Sequence, residues 1–418
     1  MLTSKPGLLE EVRSRFAHVD SCPFTGERIF FENAGGALTL NSVVETSARF
    51  AAIPDNQGRD NPASKALQAI IDRAKDDMRV FFNAPGGAFF VGESGTELLF
   101  RLISAACLGT GPGRVLGSTL EHPASRSAAA RWAEVAGKAH VLVAHDDATG
   151  SVDAARYAPE ITPDTRVATI IHTSPVTGMG VDVAAIAAAI RAVAPDCVIV
   201  VDGIQHAAHG RLDLSAYGVD GYVVSPYKMF SRHGYGVAWV SERLAALPHD
   251  HLMDAPGEPW ELGTRDTGAY ATFSDVVAYL EWLGAHFTTQ TDRRARIVAA
   301  GEAIHAHEAR LTEAMIHGTG NLPGLKDLPG VGVLNGVDNP RREGLVSLTV
   351  DGMAAPDVVA ALRERGVRTH TRKADHYSGN ILVPLGLSSC VRVSLCHYND
   401  ETEVARFLTA MREIVEGA

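Results

Sequence analysis

Three short segments of the chain carry residue types that can bind a phosphate, pair with a cation and bond to an aldehyde. Ser94-Gly95-Thr96 joins an apolar run to a helical pattern, and the N–H groups at the start of a helix attract anions. Asp202 ends the apolar run 197–202, where a carboxylate requires a cation or hydrogen-bond donors. Lys228 follows the apolar run 221–225, and lysine forms Schiff bases with carbonyl compounds.

Each segment also has an ordinary structural explanation. These explanations are a helix cap, an ion pair at the edge of a sheet, and a surface lysine whose stem covers apolar neighbours. In this order along the chain, however, the three segments suit one ligand, a phosphorylated pyridine aldehyde with a protonated ring nitrogen. The sequence therefore predicts pyridoxal 5′-phosphate (PLP) as cofactor, with Lys228 as its covalent anchor and Asp202 beside its ring nitrogen.

These residues need a scaffold that brings the ends of separate strands together. Over the first 300 residues, short runs rich in β-branched residues alternate with longer helical stretches such as 181–196. This alternation indicates an α/β fold with a mostly parallel sheet between two layers of helices. Ligands of such sheets bind at the carboxyl ends of the strands. The strand-like runs are 167–172, 197–202, 221–225 and 236–241.

Beyond about residue 270 the pattern changes to long helical stretches, followed by strand-like runs at 345–350 and 391–399 with a helix around 355–365 between them. This mixture predicts a smaller α+β domain. We expect an N-terminal segment, 1–20, that packs on the small domain. We expect a large PLP-binding domain over 21–268 and the small C-terminal domain over 269–418.

Composition restricts the class of partner. A formal net charge of -11 over 418 residues argues against binding to nucleic acid, which needs clustered Lys and Arg. The chain has no apolar run of about 18 residues, so no membrane span is expected. Its N-terminus is charged where a signal peptide is apolar. The five cysteines have no metal-ligand spacing. We expect a cytoplasmic enzyme of a small-molecule substrate, without a metal.

Seven stretches of the sequence together resemble the class V aminotransferase family of fold type I PLP enzymes, in its cysteine desulfurase-like branch. The resemblance spans most of the chain. It implies a mostly parallel, seven-stranded type of sheet in the large domain, and a homodimer with shared active sites. The stretches are FFENAGGALT (30–39), SGTE (94–97), TLEHPAS (119–125), VDGIQ (201–205), SPYK (225–228), WELGTRD (260–266) and VRVSLCHYND (391–400).

The resemblance implies a role for each residue that matches the family's cofactor site. His122 would stack on the pyridine ring, Asp202 would pair with its nitrogen, and Gln205 would contact its hydroxyl group. Thr264 would reach the phosphate in the partner subunit. The implied cofactor-binding residues are Ser94, Gly95, Thr96, His122, Asp202, Gln205, Ser225, Tyr227, Lys228 and Thr264, and the implied catalytic residues are Lys228, Asp202 and His122.

Substrate contacts are expected in three regions. Arg392 matches the arginine that binds the substrate carboxylate, and a planar guanidinium suits that group. The loop 366–382 supplies several cations near the same position, which would suit a second acidic group or proton transfer, or would form only a polar surface. The polar segment 54–64 would line the entrance, in the same or the neighbouring subunit. The expected substrate-binding residues are Arg392, Asn33, Asn56, Arg59, Arg372 and His376.

Three departures from the family pattern bear on the reaction. Cysteine desulfurases carry a nucleophilic cysteine on the loop before the arginine, whereas the loop 366–382 has none. Tyr227 stands where relatives often have histidine, and Pro175 where many have asparagine. We therefore expect a carbon–sulfur or other β-elimination lyase that forms no persulfide. The alternatives are an aminotransferase, an epimerase or an aldolase of the same family, and a PLP-binding protein without catalytic activity.

Overall fold

A computed structural model describes residues 2–257 and 259–417 of the chain. Its largest sheet has seven strands in the spatial order β1-β7-β6-β5-β4-β2-β3. All strands run parallel except β7, which is antiparallel to both of its neighbours. The strands are β1 Ala88–Gly92, β2 Arg114–Ser118, β3 Ala139–Val143, β4 Thr165–Ile171, β5 Val198–Asp202, β6 Gly221–Val224 and β7 Gly236–Val240. The expected mostly parallel sheet is thus confirmed.

The central strand β5 shows why these sequences are apolar throughout. All five of its residues are buried. Ile199 and Val201 join one hydrophobic core, whereas Val198 and Val200 join another. Because successive side chains of a strand point to opposite faces, the sheet is covered on both sides, as parallel sheets generally are.

Helices of seven or more residues form the covering layers and the C-terminal part of the chain. The helical stretch expected after about residue 270 forms two helices, Thr267–Ala285 and Arg293–His317, which pack against each other. The helices are α1 Leu8–Ser14, α2 Asn41–Ala51, α3 Pro62–Phe82, α4 Gly95–Gly109, α5 Pro123–Val135, α6 Val183–Val193, α7 Thr267–Ala285, α8 Arg293–His317, α9 Ala355–Glu364 and α10 Glu401–Glu416. None of the helices in the described ranges combines the length and the apolarity that a membrane crossing needs.

A second sheet of four strands lies in the C-terminal part, in the order β8-β9-β11-β10 with every pair antiparallel. Its strands are β8 Val331–Val333, β9 Leu345–Val350, β10 His370–Lys373 and β11 Ser389–Ser394. It shares a separate hydrophobic core with α9 and α10. Arg13 in the N-terminal segment donates to the Tyr398 carbonyl oxygen and to Glu403, so this segment contacts the C-terminal part of the chain.

Short elements complete the chain. Two-residue strands pair Ser21–Cys22 with Gly26–Glu27, Gly318–Thr319 with Leu322–Pro323, and Ile29–Phe30 with Val367–Arg368. Short α-helices lie at Ala154–Tyr157, Leu214–Tyr217, Glu242–Ala245 and Gly379–Leu382. Turns of 3₁₀-helix lie at Leu2–Ser4, Asn33–Gly35, Ala158–Glu160, His206–Ala208, Pro226–Lys228 and Leu325–Asp327. The turn Pro226–Lys228 places the candidate lysine directly after β6.

Candidate active site

The anion cradle lies where β1 leads into α4. Ser94 caps the helix, and its Oγ accepts a hydrogen bond from the Glu97 N–H at 3.1 Å. Gly95 lies against the Ser225 hydroxyl and the Ile204 side chain so tightly that a Cβ atom at Gly95 would overlap both. Glycine at this position therefore leaves the first N–H groups of α4 open to a ligand.

Asp202 ends β5 and faces the same opening. Asp202 is 4% exposed, and its Oδ1 accepts a hydrogen bond from the Ile204 N–H at 3.1 Å. Burial raises the pKa of Asp202 to about 6, although the Ile204 N–H and the Lys228 ammonium favour its charged form. A further cation beside this buried carboxylate would stabilise its ionised form.

Lys228 lies across this opening, at the end of the turn that follows β6. Its Nζ donates a hydrogen bond to Gln205 Oε1 at 3.1 Å. Burial, and next the Arg392 guanidinium, lower the pKa of Lys228 to about 7, against the opposing effect of Asp202. A substantial share of the amine is therefore neutral near pH 7, and only the neutral amine can attack an aldehyde.

His122 caps α5 at the opposite wall. Its Nδ1 accepts a hydrogen bond from the Ala124 N–H at 3.1 Å, and its ring lies 6.0 Å from the Tyr377 ring, measured between centroids. Burial is the main cause that lowers the pKa of His122 to about 4, with Lys228 and Arg372 adding repulsion. The imidazole is therefore neutral, which suits stacking on a flat ring rather than pairing with an anion.

A buried chain of hydrogen bonds extends from Lys228 into the protein. Gln205 Nε2 lies 3.1 Å from His209 Nε2, and His209 Nδ1 lies 2.7 Å from Glu308 Oε2. When the His209 ring is neutral, Nδ1–H donates to Glu308, so Nε2 accepts from the Gln205 amide and Gln205 Oε1 turns towards Lys228. The sequence reasoning missed His209 and Glu308, because α8 lies about a hundred residues after β5.

Arg392 projects from β11 on the far side of Lys228. It is 2% exposed, and its Nη1 donates a hydrogen bond to the Pro175 carbonyl oxygen at 3.0 Å. Burial, and next repulsion from Arg372, lower the pKa of Arg392 to about 9. Pro175 has no side-chain amide, unlike the asparagine expected by resemblance. Its backbone carbonyl instead holds the arginine that is the candidate for binding the substrate carboxylate.

Two adjoining pockets contain these groups and share His122, Pro175, Tyr227 and Lys228. The inner pocket is the expected cofactor site, and the outer pocket opens beside Arg392. The inner pocket is also lined by Ser94, Gly95, Thr96, Ile171, Thr173, Asp202, Ile204, Gln205 and Ser225. The outer pocket is also lined by Glu32, Ala34, Gly35, His370, Thr371, Arg372, Lys373, Asp375, Tyr377, Ser378 and Arg392.

The inner pocket fits PLP on its own chemistry. The start of α4 and the Ser225 hydroxyl would hold the phosphate, the neutral His122 ring would cover one face, and buried Asp202 would face the ring nitrogen. Tyr227 lies at the junction of the two pockets, with its ring stacked on His233 at a centroid distance of 4.4 Å. Nine of the ten cofactor residues expected from the sequence line this pocket.

Asn33 has contacts that differ from the substrate role expected for it. Asn33 is 2% exposed. Its Nδ2 donates to the carbonyl oxygens of Phe30 and Ser394 and to Asn399 Oδ1, while its Oδ1 accepts from the Tyr398 hydroxyl. Asn33 therefore links Phe30 to Ser394 at the end of β11. Because both polar atoms of its amide are hydrogen-bonded inside the protein, neither is left for a substrate.

Four other expected residues lie outside the lining of both pockets. Thr264 and His376 are exposed, and the His376 ring packs against Tyr377. Arg59 Nε donates a hydrogen bond to Asn56 Oδ1 at 3.2 Å on the surface. The roles expected for Thr264, Asn56 and Arg59 at a neighbouring subunit stay predictions.

None of the cysteines lines either pocket within the part of the chain that the structure describes. Cys390 lies on β11 but is buried, and burial raises the pKa of its thiol to about 11. Cys396 is also buried, and burial raises its pKa well above the ordinary value. A thiolate nucleophile is therefore absent from these two pockets, in agreement with the cysteine-free loop.

The seven-stranded sheet, with a lysine and an aspartate at its carboxyl edge, defines an enzyme of the fold type I class. The chain belongs to the class V aminotransferase family, whose members are PLP-dependent enzymes: the family model described as "Aminotransferase class-V" matches residues 29–407. A probable cysteine desulfurase of Pseudomonas putida is 28% identical over 375 residues, which cover 85% of this chain and 85% of that protein.

Two further proteins are similar to this chain. The apo structure of a cysteine desulfurase from Thermococcus onnurineus aligns with a TM-score of 0.82 at 21% identity, covering 98% of each chain, and this similarity shows the fold. The nonribosomal peptide synthetase-like enzyme fsqF of Aspergillus fumigatus is 27% identical over 408 residues, which cover 92% of this chain. The chain spans 26% of that relative's length.

Proposed function

We propose that the protein is a PLP-dependent lyase that eliminates a β-substituent, in the first instance a sulfur-bearing one, from an amino acid without forming a persulfide. The observation that carries the PLP-dependent part of this proposal is the half-buried Lys228 at the junction of the two pockets, whose amine has a pKa lowered to about 7. It lies between Asp202 on the cofactor side and Arg392 on the substrate side.

PLP, when bound, supplies an electron sink that stabilises negative charge at the substrate Cα. Arg392 binds the α-carboxylate in a site where its charge is little screened, and so orients the substrate towards Lys228. Lys228 removes the proton from Cα, and the substituent on Cβ then leaves with the bonding electron pair. His122 is half-buried with its ring 6.0 Å from the Tyr377 ring, and its neutral imidazole would cover one face of the site.

The missing thiol supports elimination over persulfide transfer. A persulfide-forming desulfurase needs a cysteine thiolate that reaches the substrate sulfur, and the described pockets hold no cysteine. The other outcomes of proton removal at Cα are transamination and epimerisation, and cleavage of the Cα–Cβ bond is a fourth reaction of the same cofactor. The Lys228 amine serves all of these, so the products decide among them.

The test is a product assay on the protein reconstituted with PLP, using cysteine and substituted cysteines. Elimination gives pyruvate and ammonia together with the released sulfur compound, and Lys228→Ala abolishes all three products. A keto acid that retains the substituent, formed with pyridoxamine phosphate, contradicts the lyase proposal and identifies an aminotransferase. Full retention of product formation by Lys228→Ala contradicts any catalytic role for this lysine.

We further propose a homodimer with shared active sites. The exposed Thr264 and Arg59 and the half-buried Asn56 lie outside both pockets of their own chain, which supports a place for them at a subunit boundary. Sedimentation equilibrium of the PLP-loaded protein is expected to give twice the chain mass of 44.4 kDa. A monomeric fraction that binds PLP as tightly as the unfractionated protein overturns this proposal.

A further inference from the structure

The outer pocket contains two guanidinium groups on one face of the second sheet. In the antiparallel pair of β10 and β11, His370 lies opposite Arg392 and Arg372 lies opposite Cys390. Alternate residues of a strand share a face, so Arg372 and Arg392 are diagonal neighbours on the same face. Long side chains at diagonal positions reach a common region, and both arginines line the pocket that contains Lys228.

Neither arginine has a carboxylate partner among residues 2–257 and 259–417. Arg392 donates only to the Pro175 carbonyl oxygen, and the buried Nε atoms of both Arg392 and Arg372 have no hydrogen-bond acceptor. After burial, repulsion from Arg372 is the next cause that lowers the pKa of Arg392. Two like charges held together with unused donors form a site for anions.

The acidic residues of this pocket are engaged elsewhere. Glu32 accepts a hydrogen bond from Arg368 Nε at 2.6 Å and lies 3.2 Å from His370 Nδ1. Asp375 is exposed and accepts from the Tyr377 N–H at 2.9 Å, and it forms no ion pair with Arg372 in the described ranges. Glu32 attracts Arg392 and Asp375 attracts Arg372, but within the described residues neither carboxylate forms an ion pair with these arginines, so their hydrogen-bond donors stay open to a ligand.

We propose that the substrate is an amino acid with a second anionic group on its side chain, a carboxylate or a sulfinate, and that Arg372 binds this group while Arg392 binds the α-carboxylate. The inference rests on the proposed function, because it places the substrate in the same pocket. Both anions offer two coplanar or near-coplanar oxygens to a guanidinium fork. A neutral side chain in the same place would leave Arg372 desolvated and unpaired.

The experiment measures binding rather than turnover. The PLP-loaded protein is titrated with L-aspartate, L-glutamate and L-cysteine sulfinate, and with the neutral compounds L-asparagine, L-glutamine and L-alanine. The readout is the change in the visible absorption of the bound cofactor, with the thermal midpoint Tm as a second measure. At least one acidic compound is expected to bind at least about ten-fold more tightly than its neutral counterpart. The best acid identifies whether the group is a carboxylate or a sulfinate.

Arg372→Gln is expected to abolish this preference while changing the binding of L-alanine by less than about three-fold. Arg372→Lys, which keeps the charge but loses the fork, is expected to retain part of it. The matched control is Lys373→Gln, which removes one positive charge from the same pocket at the residue next to Arg372. It is expected to keep the preference, which separates a specific contact from the general field of the pocket.

Equal binding of acidic and neutral amino acids by the unmodified protein overturns the inference and leaves the proposed function standing. The same holds if the preference survives Arg372→Gln, or if Lys373→Gln removes it equally. No spectral response to any amino acid, together with PLP absorption unaltered by Lys228→Ala, overturns the proposed function and this inference with it.

Discussion

The Nζ atom of Lys228 lies 3.1 Å from Gln205 Oε1. This hydrogen bond joins the candidate covalent anchor to a buried chain that continues through His209 to Glu308. Three elements meet here: the turn after β6, the segment after β5, and α8. The reactivity of Lys228 thus depends on charges and hydrogen bonds supplied by parts of the chain that are distant in sequence.

The pH dependence of cofactor attachment should report the environment of Lys228. Its pKa is lowered to about 7 by burial and next by Arg392, so the rate of attachment is expected to rise with pH through a midpoint near that value. Arg392→Gln removes a repulsive charge, and its midpoint should move upward. The measurement is the rate at which visible absorption develops after PLP is mixed with the apoprotein across a pH series.

Arg365→Gln is the control for this change, because Arg365 forms its ion pair with Glu413 away from the site. Its midpoint should match that of the unmodified protein. A midpoint that stays in place in Arg392→Gln would show that Arg392 does not act on the Lys228 amine.

Gly95→Ala tests the anion cradle. A Cβ atom there would overlap the Ser225 hydroxyl and Ile204, so either the start of α4 or one of these side chains must move. We expect the affinity for PLP to fall by about ten-fold or more, since about 1.4 kcal/mol corresponds to ten-fold. The affinity is measured by titrating the apoprotein with PLP. Gly111→Ala, at a glycine with open space around it, should bind PLP normally.

Asp202 should make the stability of the apoprotein depend on pH. Burial raises its pKa to about 6, above the unfolded value, so the folded state binds the extra proton between about pH 4 and about pH 6. The free energy of unfolding therefore falls as pH rises through this window, by up to about 3 kcal/mol. Asp202→Asn should lack this decrease, as measured by urea unfolding at several pH values.

Asp196→Asn provides the comparison, because Asp196 is exposed just before β5. Its pH profile should follow that of the unmodified protein. The apoprotein must be used, since a protonated ring nitrogen of PLP would stabilise the ionised carboxylate. If the pH profile of Asp202→Asn coincides with that of the unmodified protein, the prediction that burial raises the pKa of Asp202 is wrong.

Glu308→Gln should weaken the buried chain behind Gln205. Burial opposes the charged His209 ring, but attraction to Glu308 outweighs burial and raises the pKa of His209. The stabilisation is fully present below the unfolded pKa of histidine and is lost as pH rises through the raised value. The substitution should cost about 2 kcal/mol at the acidic end and less above it.

Chemical unfolding at a series of pH values measures this loss. Glu302→Gln, an exposed carboxylate on the same helix, should change the unfolding free energy by less than about 0.5 kcal/mol. A pH-independent cost of Glu308→Gln would assign the effect to packing rather than to the charge on His209.

Thiol alkylation should leave the catalytic activity unchanged. Cys22 is partly exposed, and the hydrogen bond from Thr25 is the main cause that lowers the pKa of its thiol to about 7. The other four cysteines are buried. Iodoacetamide is therefore expected to modify Cys22 first, as located by peptide mass mapping. Loss of activity that follows modification of Cys390 would instead indicate a thiol in the reaction.

Local sequence determined the fold class and most of the cofactor site. Runs of β-branched residues that alternate with helical stretches predict a parallel sheet, because both faces of such a sheet are buried. Asp202 is the last residue of one of these runs, and Lys228 lies three residues after the end of another. Parallel neighbours end at the same edge, so their meeting follows from chain order once the sheet is parallel.

Tertiary structure alone decided the contacts that join distant parts of the chain. Glu308 reaches His209 across 99 positions, and Arg392 binds a backbone carbonyl at Pro175, 217 positions away. Asn33 lies in a stretch that resembles the family, yet its amide forms its hydrogen bonds inside the protein and leaves none for a substrate. Periodicity predicts which face a residue occupies, but the register of β10 and β11 placed Arg372 beside Arg392. Such pairings depend on contacts between segments that are distant along the chain, for which the local sequence carries no signal.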